Sequence, residues 1–187
     1  MKKQITLLIS IIGALLLVIG LLFYTKVIEI KKLDNSSVVN YFQFKTLDGI
    51  KFNIEAEKRK FKIEGMEGKI VFLKVFGWDC EFCKKEIPQL INLKKSLSDT
   101  FDVLAIEAQG HTDEQSKSFI KKYGINYNIV AGDKEKSFYA YLQKQYGWTG
   151  VIPLTIVLSK EGYVLAFEQG SKSYSLSELL KASLLKR

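Results

Sequence analysis

Cys80 and Cys83 are the only two cysteines in the 187-residue chain, and they stand three positions apart. Thiols at that spacing suit disulfide exchange. One thiolate attacks a disulfide sulfur, and a second thiol one helical turn later resolves the mixed disulfide. Competing uses of two cysteines fare less well. Tetrahedral zinc needs four ligands, and the single histidine, His111, cannot complete the set, so no metal and no cofactor is expected. A disulfide scaffold would use more cysteines at longer spacings. Two structural thiols remain the plain alternative.

The surroundings favour chemistry. Ile70 to Phe76 form a near-continuous apolar run, the pattern of a strand buried on both faces in a mainly parallel sheet. Gly77 breaks it, and a helix is expected from about Glu81, with Ile87, Leu90, Ile91 and Leu97 on one face. Cys80 then lies at a helix N-terminus, where unpaired N–H groups and the positive end of the helix dipole favour a thiolate. Asp79 and Glu81 oppose this with negative charge and are expected to raise the Cys80 thiol pKa, which implies a reducing poise. Glu86, one turn beyond Cys83, could exchange a proton with a cysteine, or could be a solvated glutamate paired with a nearby lysine. Lys74 interrupts the buried strand. It must be paired, with Glu86 as a candidate, or its stem must snorkel out beside the sheet; the second placement is preferred.

The elements that hold these residues follow from periodicity and punctuation. Phe42, Phe44 and Leu47 lead through Asp48-Gly49 to Ile50 and Phe52, a hairpin signal. Residues 53–68 read as charged and irregular. Phe101 to Glu107 is a second central strand. Thr112 to Gln115 is a capping box opening a helix. Tyr127 to Val130 is a short strand, and Asp133 is expected to cap another helix. Leu154–Leu158 and Tyr163–Phe167 form a hairpin around Lys160-Glu161-Gly162, and Ser175 to Glu178 caps a last helix. The order βαβα(β)αββα predicts an α/β fold with a mixed sheet covered on both faces.

Ahead of this domain, residues 5–23 carry no charge and would make about 28 Å of helix, close to the bilayer core. No small-residue cleavage pattern follows, so an uncleaved transmembrane anchor over residues 1–24 is expected, then a tether over 25–40 and the domain over 41–187. The flanking lysines nearly balance, and the redox pair favours an extracytoplasmic domain. Net charge is +8, but five lysines against one glutamate lie in the first 33 residues, and no long basic block exists elsewhere. A nucleic-acid partner is therefore not expected.

The segment Cys-Glu-x-Cys-Lys-Lys-Glu-x-Pro, from Cys80 to Pro88, resembles the active-site region of the TlpA/ResA-like membrane-anchored thiol–disulfide oxidoreductases, which carry a thioredoxin-like fold. Asp48-Gly49, Gly68-Lys69, and Gly150-x-x-Pro153-x-Thr155 followed by Lys160-Glu161-Gly162 extend the resemblance over roughly residues 41–187. It implies a mixed central sheet flanked by helices with an added N-terminal hairpin, catalytic roles for Cys80, Cys83 and Glu86, and a cis Ile152–Pro153 bond facing the disulfide. Ile152, Pro153 and Trp78 would contact substrate, while Asp79, Glu81 and Lys74 would tune the thiols. The implied setting is the bacterial cytoplasmic membrane, crossed once, with the domain facing the periplasm or exterior. Its implied partners are disulfide-bearing exported proteins, apocytochromes c among them, a membrane thiol electron donor, and the bilayer through residues 5–23. Two departures stand out: Asp79 precedes the first cysteine where relatives often have Trp, and Phe82 replaces a frequent proline. The rivals are an oxidase or isomerase on this scaffold and a non-catalytic thioredoxin-like module. A thiol peroxidase is disfavoured because Cys80 lacks the Pro-x-x-x-Thr setting.

Overall fold

The computed structural model describes residues 13–26 and 38–185. The chain divides into two compact units, Met1–Val38 and Val39–Arg187. In the first, residues 13–26 are helical (α1) and their apolar side chains are exposed, Leu17 and Phe23 among them. Among the described residues no helix is long and apolar enough to cross a membrane. Residues 1–12 of the expected anchor and 27–37 of the expected tether lie outside the described residues.

The second unit holds a five-stranded sheet of order β6-β5-β4-β7-β8, built from β4 (Ile70–Phe76), β5 (Phe101–Glu107), β6 (Asn128–Ala131), β7 (Leu154–Leu158) and β8 (Val164–Gln169). β4, β5 and β6 run parallel, and β7 and β8 are antiparallel additions. Every residue of β4 and of β5 is buried, as their unbroken apolar runs require. Alternation along β4 divides two cores. Val71, Leu73 and Val75 join the core shared with Phe44, Ile54 and Phe138. Ile70, Phe72 and Phe76 face the other way, into the core with Ile87 and Leu90. That second core is built by α2 (Glu81–Ser96) and α5 (Leu176–Leu185), while α4 (Lys136–Tyr146) supplies Phe138 and Leu142 to the first.

The expected hairpin is present as β1 (Asn40–Lys45) and β2 (Lys51–Glu57), but the stretch expected to be irregular contains a third strand, β3 (Lys60–Ile63). Its pattern of outward lysines and inward Phe61 and Ile63 pairs with Ala56 and Ile54 across the strand. The small sheet is stitched on at Gly162, whose carbonyl accepts the Phe61 N–H at 2.8 Å. Gly162 has φ of +87°, and an added Cβ would sit 2.1 Å from the Phe61 carbonyl oxygen, so only glycine fits. A second difference concerns Asp133. It caps no α-helix but lies in a 3-10 turn (Gly132–Lys134), and α4 begins after Glu135 without a side-chain cap. Thr112 does cap α3 (Asp113–Tyr123), with the reciprocal Gln115 bond of a full capping box.

One ion-pair cluster makes the fold acid-sensitive. Asp102, 6% exposed at the start of β5, accepts from Lys94 at 2.8 Å, Lys69 at 3.1 Å and the Val103 N–H at 2.9 Å. Burial alone would push this carboxyl up. The bonds from Lys94, Val103 and Lys69 outweigh it and hold the group below the ordinary aspartate value. A depressed folded-state value gives stability that is present above about pH 4 and lost as pH falls through the folded value. Asp102→Asn is expected to cost about 2 kcal/mol at pH 7 and to flatten the acid limb of stability. Urea midpoints measured from pH 7 down to pH 3 check both effects.

Candidate active site

β4 stops at Phe76, and the chain turns through Gly77 to Asp79 before α2 begins at Glu81. Cys80 is the N-cap of α2, and its Sγ accepts the Cys83 N–H at 3.1 Å. The first-turn amide that a Ser or Asp cap would normally satisfy therefore points at sulfur, an arrangement that favours negative charge on Cys80. Cys80 and Cys83 are joined as a disulfide with their Cα atoms 5.2 Å apart. Cys80 is partly exposed, whereas Cys83 is only 2% exposed.

The loop after β5 clasps this turn. Asp79 donates its N–H to Gln109 Oε1 at 2.7 Å. The Gln109 side chain crosses directly over Gly77, where an added Cβ would lie 2.0 Å from Oε1. Glu107, 1% exposed, accepts the N–H groups of Gln109, Gly110 and His111 and so fixes the loop. His111 stands between two carboxylates, with Nδ1 3.2 Å from Glu107 and Nε2 3.2 Å from Asp79. Glu81 pairs with Lys84 at 2.8 Å, and that hydrogen bond and charge draw its carboxyl below the ordinary value. Of the two acids expected to oppose the Cys80 thiolate, Glu81 thus has a lysine that offsets its charge, while Asp79 is largely exposed to solvent beside His111.

Trp78 requires a correction. It is fully buried, stacked on Phe119 with centroids 5.0 Å apart and edge-on to Phe76 at 4.8 Å, and its Nε1–H donates to Ser116 Oγ at 3.0 Å. A side chain with no exposed surface cannot contact a docking substrate; Trp78 anchors the turn instead.

Lys74 also departs from the preferred expectation. It does not snorkel. Its register on β4 puts it on the face that packs against α2, it is 1% exposed, and its Nζ donates to Glu86 Oε2 at 2.7 Å and to Thr155 Oγ1. Thr155 is its direct cross-strand partner on β7. Burial drives the Lys74 pKa down, against the opposing pull of the Glu86 charge and hydrogen bond. Burial likewise raises the nearby Tyr127 phenol, with the Glu86 charge adding to it.

The Ile152–Pro153 bond is cis, as the resemblance implied. Pro153 is buried, and Ile152 and Cys80 both pack against the core that contains Cys83. The Pro153 carbonyl is taken by the Gly170 N–H at 2.8 Å. Among the described residues, neither the amide nor the carbonyl of Ile152 takes part in a hydrogen bond.

A family model described as AhpC/TSA matches residues 42–167. The chain belongs to the AhpC/TSA family. Within it, this chain is similar to a thiol-disulfide oxidoreductase ResA from Bacillus subtilis (strain 168), 28% identical over 119 residues that make 63% of each chain. The match therefore spans about three fifths of that relative's length. A ResA from Halalkalibacterium halodurans is 22% identical over 182 residues, covering 95% of this chain and 93% of its own. Among solved structures, StoA from Bacillus subtilis superposes with a TM-score of 0.55 at 22% identity, over 79% of this chain and 98% of that one. This last likeness establishes the mixed α/β, thioredoxin-like fold.

Several residues of this AhpC/TSA site were given no role from sequence. Glu107 and Gln109 hold the turn before Cys80, and Thr155 completes the environment of Lys74. Thr155 had one available signal. It stands two positions after the cis proline, so its side chain returns to the proline's face of β7. Glu107 carried a weaker one, as a charged residue closing an otherwise apolar central strand.

Proposed function

We propose that this chain is a membrane-anchored, extracytoplasmic thiol–disulfide oxidoreductase that reduces disulfides in exported proteins. The observation that carries the reading is the asymmetry of the pair at the start of α2: a partly exposed sulfur receiving a backbone N–H, bonded to a sulfur that solvent does not reach. The Cys80 thiolate attacks a substrate disulfide and forms a mixed disulfide, and one substrate sulfur leaves with the electron pair. Cys83 then gives its proton to the Glu86 carboxylate and attacks Cys80 Sγ. The Cys80–Cys83 bond forms, the bond to substrate breaks, and the departing sulfur takes the proton from Glu86. The chain ends oxidised by two electrons, and a membrane thiol donor returns them. Ile152, with its backbone groups open beside the pair, is suited to align the substrate strand.

The apolar run 5–23 and the exposed apolar surface of α1 support a bilayer anchor. The names of the ResA relatives support the oxidoreductase class. Apocytochromes c are a fitting substrate class, since their paired cysteines must be reduced before haem is attached. The full chain in detergent, supplied with dithiothreitol as donor, is expected to accelerate insulin reduction, and its midpoint potential is expected below about −150 mV. A higher potential would reverse the direction to oxidase, and no acceleration at all would leave a non-catalytic module.

A further inference from the structure

Lys74 is the least economical residue in the domain. A lysine 1% exposed in a central strand loses its hydration, and a buried ion pair gives little or no net stability over apolar side chains of the same volume. Packing alone would favour Met or Leu at this position, beside Phe72 and Phe76. The pair therefore needs a reason other than stability, and its partners supply one. Glu86 lies one turn past Cys83 on the redox helix, and Thr155 lies two residues past Pro153 on the cis-proline strand. Lys74 joins the two walls of the site through one ammonium group.

We propose that Lys74 is the positioning residue of the proton-transfer step, holding the Glu86 carboxylate in place so that it can accept the proton of Cys83. This rests on the exchange reading above. The Glu86 side chain is 17% exposed, and among the described residues Lys74 is the cation within ion-pair distance of it. Lys74→Met would take away both the hydrogen bond that fixes this carboxylate and the charge that faces it. The other polar groups around it do not replace Lys74. Tyr127 is a half-buried neutral phenol. Lys85 lies over the Phe82 ring, 5.3 Å from its centroid. Lys172 pairs with Glu168 at 3.2 Å, and Tyr174 and Ser175 line the cleft beside Glu86 as neutral groups.

The two steps can be timed separately. Reduced full-length protein mixed with 5,5'-dithiobis(2-nitrobenzoate) releases one thionitrobenzoate when Cys80 attacks and a second when Cys83 resolves the adduct. Lys74→Met is expected to leave the first phase within about twofold of wild type and to move the acid limb of the second phase up by at least about one pH unit, a tenfold slowing near pH 6. Glu86→Gln slows the second phase across the range, and Lys74→Met added to Glu86→Gln slows it no further. A Lys74→Met profile that superimposes on wild type overturns the proposal. So does an equal slowing by Lys74→Met on both backgrounds, which would make Lys74 independent of Glu86. If Lys74→Met does not fold, Thr155→Val, which removes the second partner of the ammonium, is expected to move the acid limb the same way by a smaller step, and an unmoved limb overturns the proposal. Wild-type protein that releases no second thionitrobenzoate would instead defeat the exchange reading itself.

Discussion

Cys83→Ser is expected to leave the protein able to attack a disulfide once and unable to release it, so that it accumulates as a covalent mixed disulfide with its substrate. Cys80→Ser is expected to form no such adduct and to lose turnover by about a thousandfold or more. The asymmetry follows from exposure and from the cap. Cys83 is 2% exposed within the α2 core, so an incoming protein disulfide cannot reach its sulfur in line. Cys80 is partly exposed and receives the Cys83 N–H at 3.1 Å, a contact that would stabilise an attacking thiolate once the pair is reduced. A serine at 80 could take the same N–H bond and keep the helix capped, so its inactivity would report lost chemistry rather than a lost helix. Non-reducing electrophoresis and intact-mass measurement on both variants, after incubation with a disulfide-bearing protein, give the readout. Adducts on Cys80→Ser and none on Cys83→Ser would exchange the two roles.

The parts of the site that were legible in the sequence are those governed by local rules. Seven apolar-rich residues from Ile70 to Phe76, a glycine, and a cysteine pair opening a helix define the strand, the turn and the cap without distant information. Thr112 and Gln115 carry both halves of their capping box within four residues. What was not legible depends on register or on contacts far along the chain. The preferred exit path for Lys74 was wrong because its fate is set by pairing with Thr155, 81 positions away, and by which face α2 covers. Trp78 stood beside the cysteine pair in sequence and was expected to contact substrate, yet a hydroxyl 38 positions later and the rings of α3 bury it. β3 was missed for a different reason. Its hairpin with β2 turns through Lys58-Arg59, which offers no glycine, asparagine or proline to mark a turn, and its lysines mask a short alternating strand. Asp133 shows the converse error: a good capping residue followed by apolar periodicity, with a 3-10 turn inserted between them.

The burial of Trp78 makes it the residue on which the site's geometry and the fold's stability meet. Trp78→Ala is expected to destabilise the protein by about 3–5 kcal/mol, because it empties a fully enclosed site the surrounding rings cannot collapse into. Phe119 and Tyr123 stack parallel to the indole and Phe76 meets it edge-on, so each loses a partner at once. Trp78→Phe separates the two parts of that cost. It keeps an aromatic face for Phe119 but leaves the Ser116 hydroxyl, 1% exposed, without the indole N–H, and should cost about 1–3 kcal/mol. Urea unfolding of the oxidised protein, with unchanged slope and a shifted midpoint, measures both. A loss below about 1 kcal/mol for Trp78→Ala would mean that the ring stack does not bear on stability. The consequence extends to the disulfide, because Trp78 is two residues from Cys80 and its indole pins the turn from inside while Gln109 holds the Asp79 amide from outside. The thiol chemistry proposed for Cys80 depends on that turn delivering sulfur to the N-terminus of α2. Loosening the inner pin should therefore slow attack by Cys80 even at temperatures where the variant remains folded.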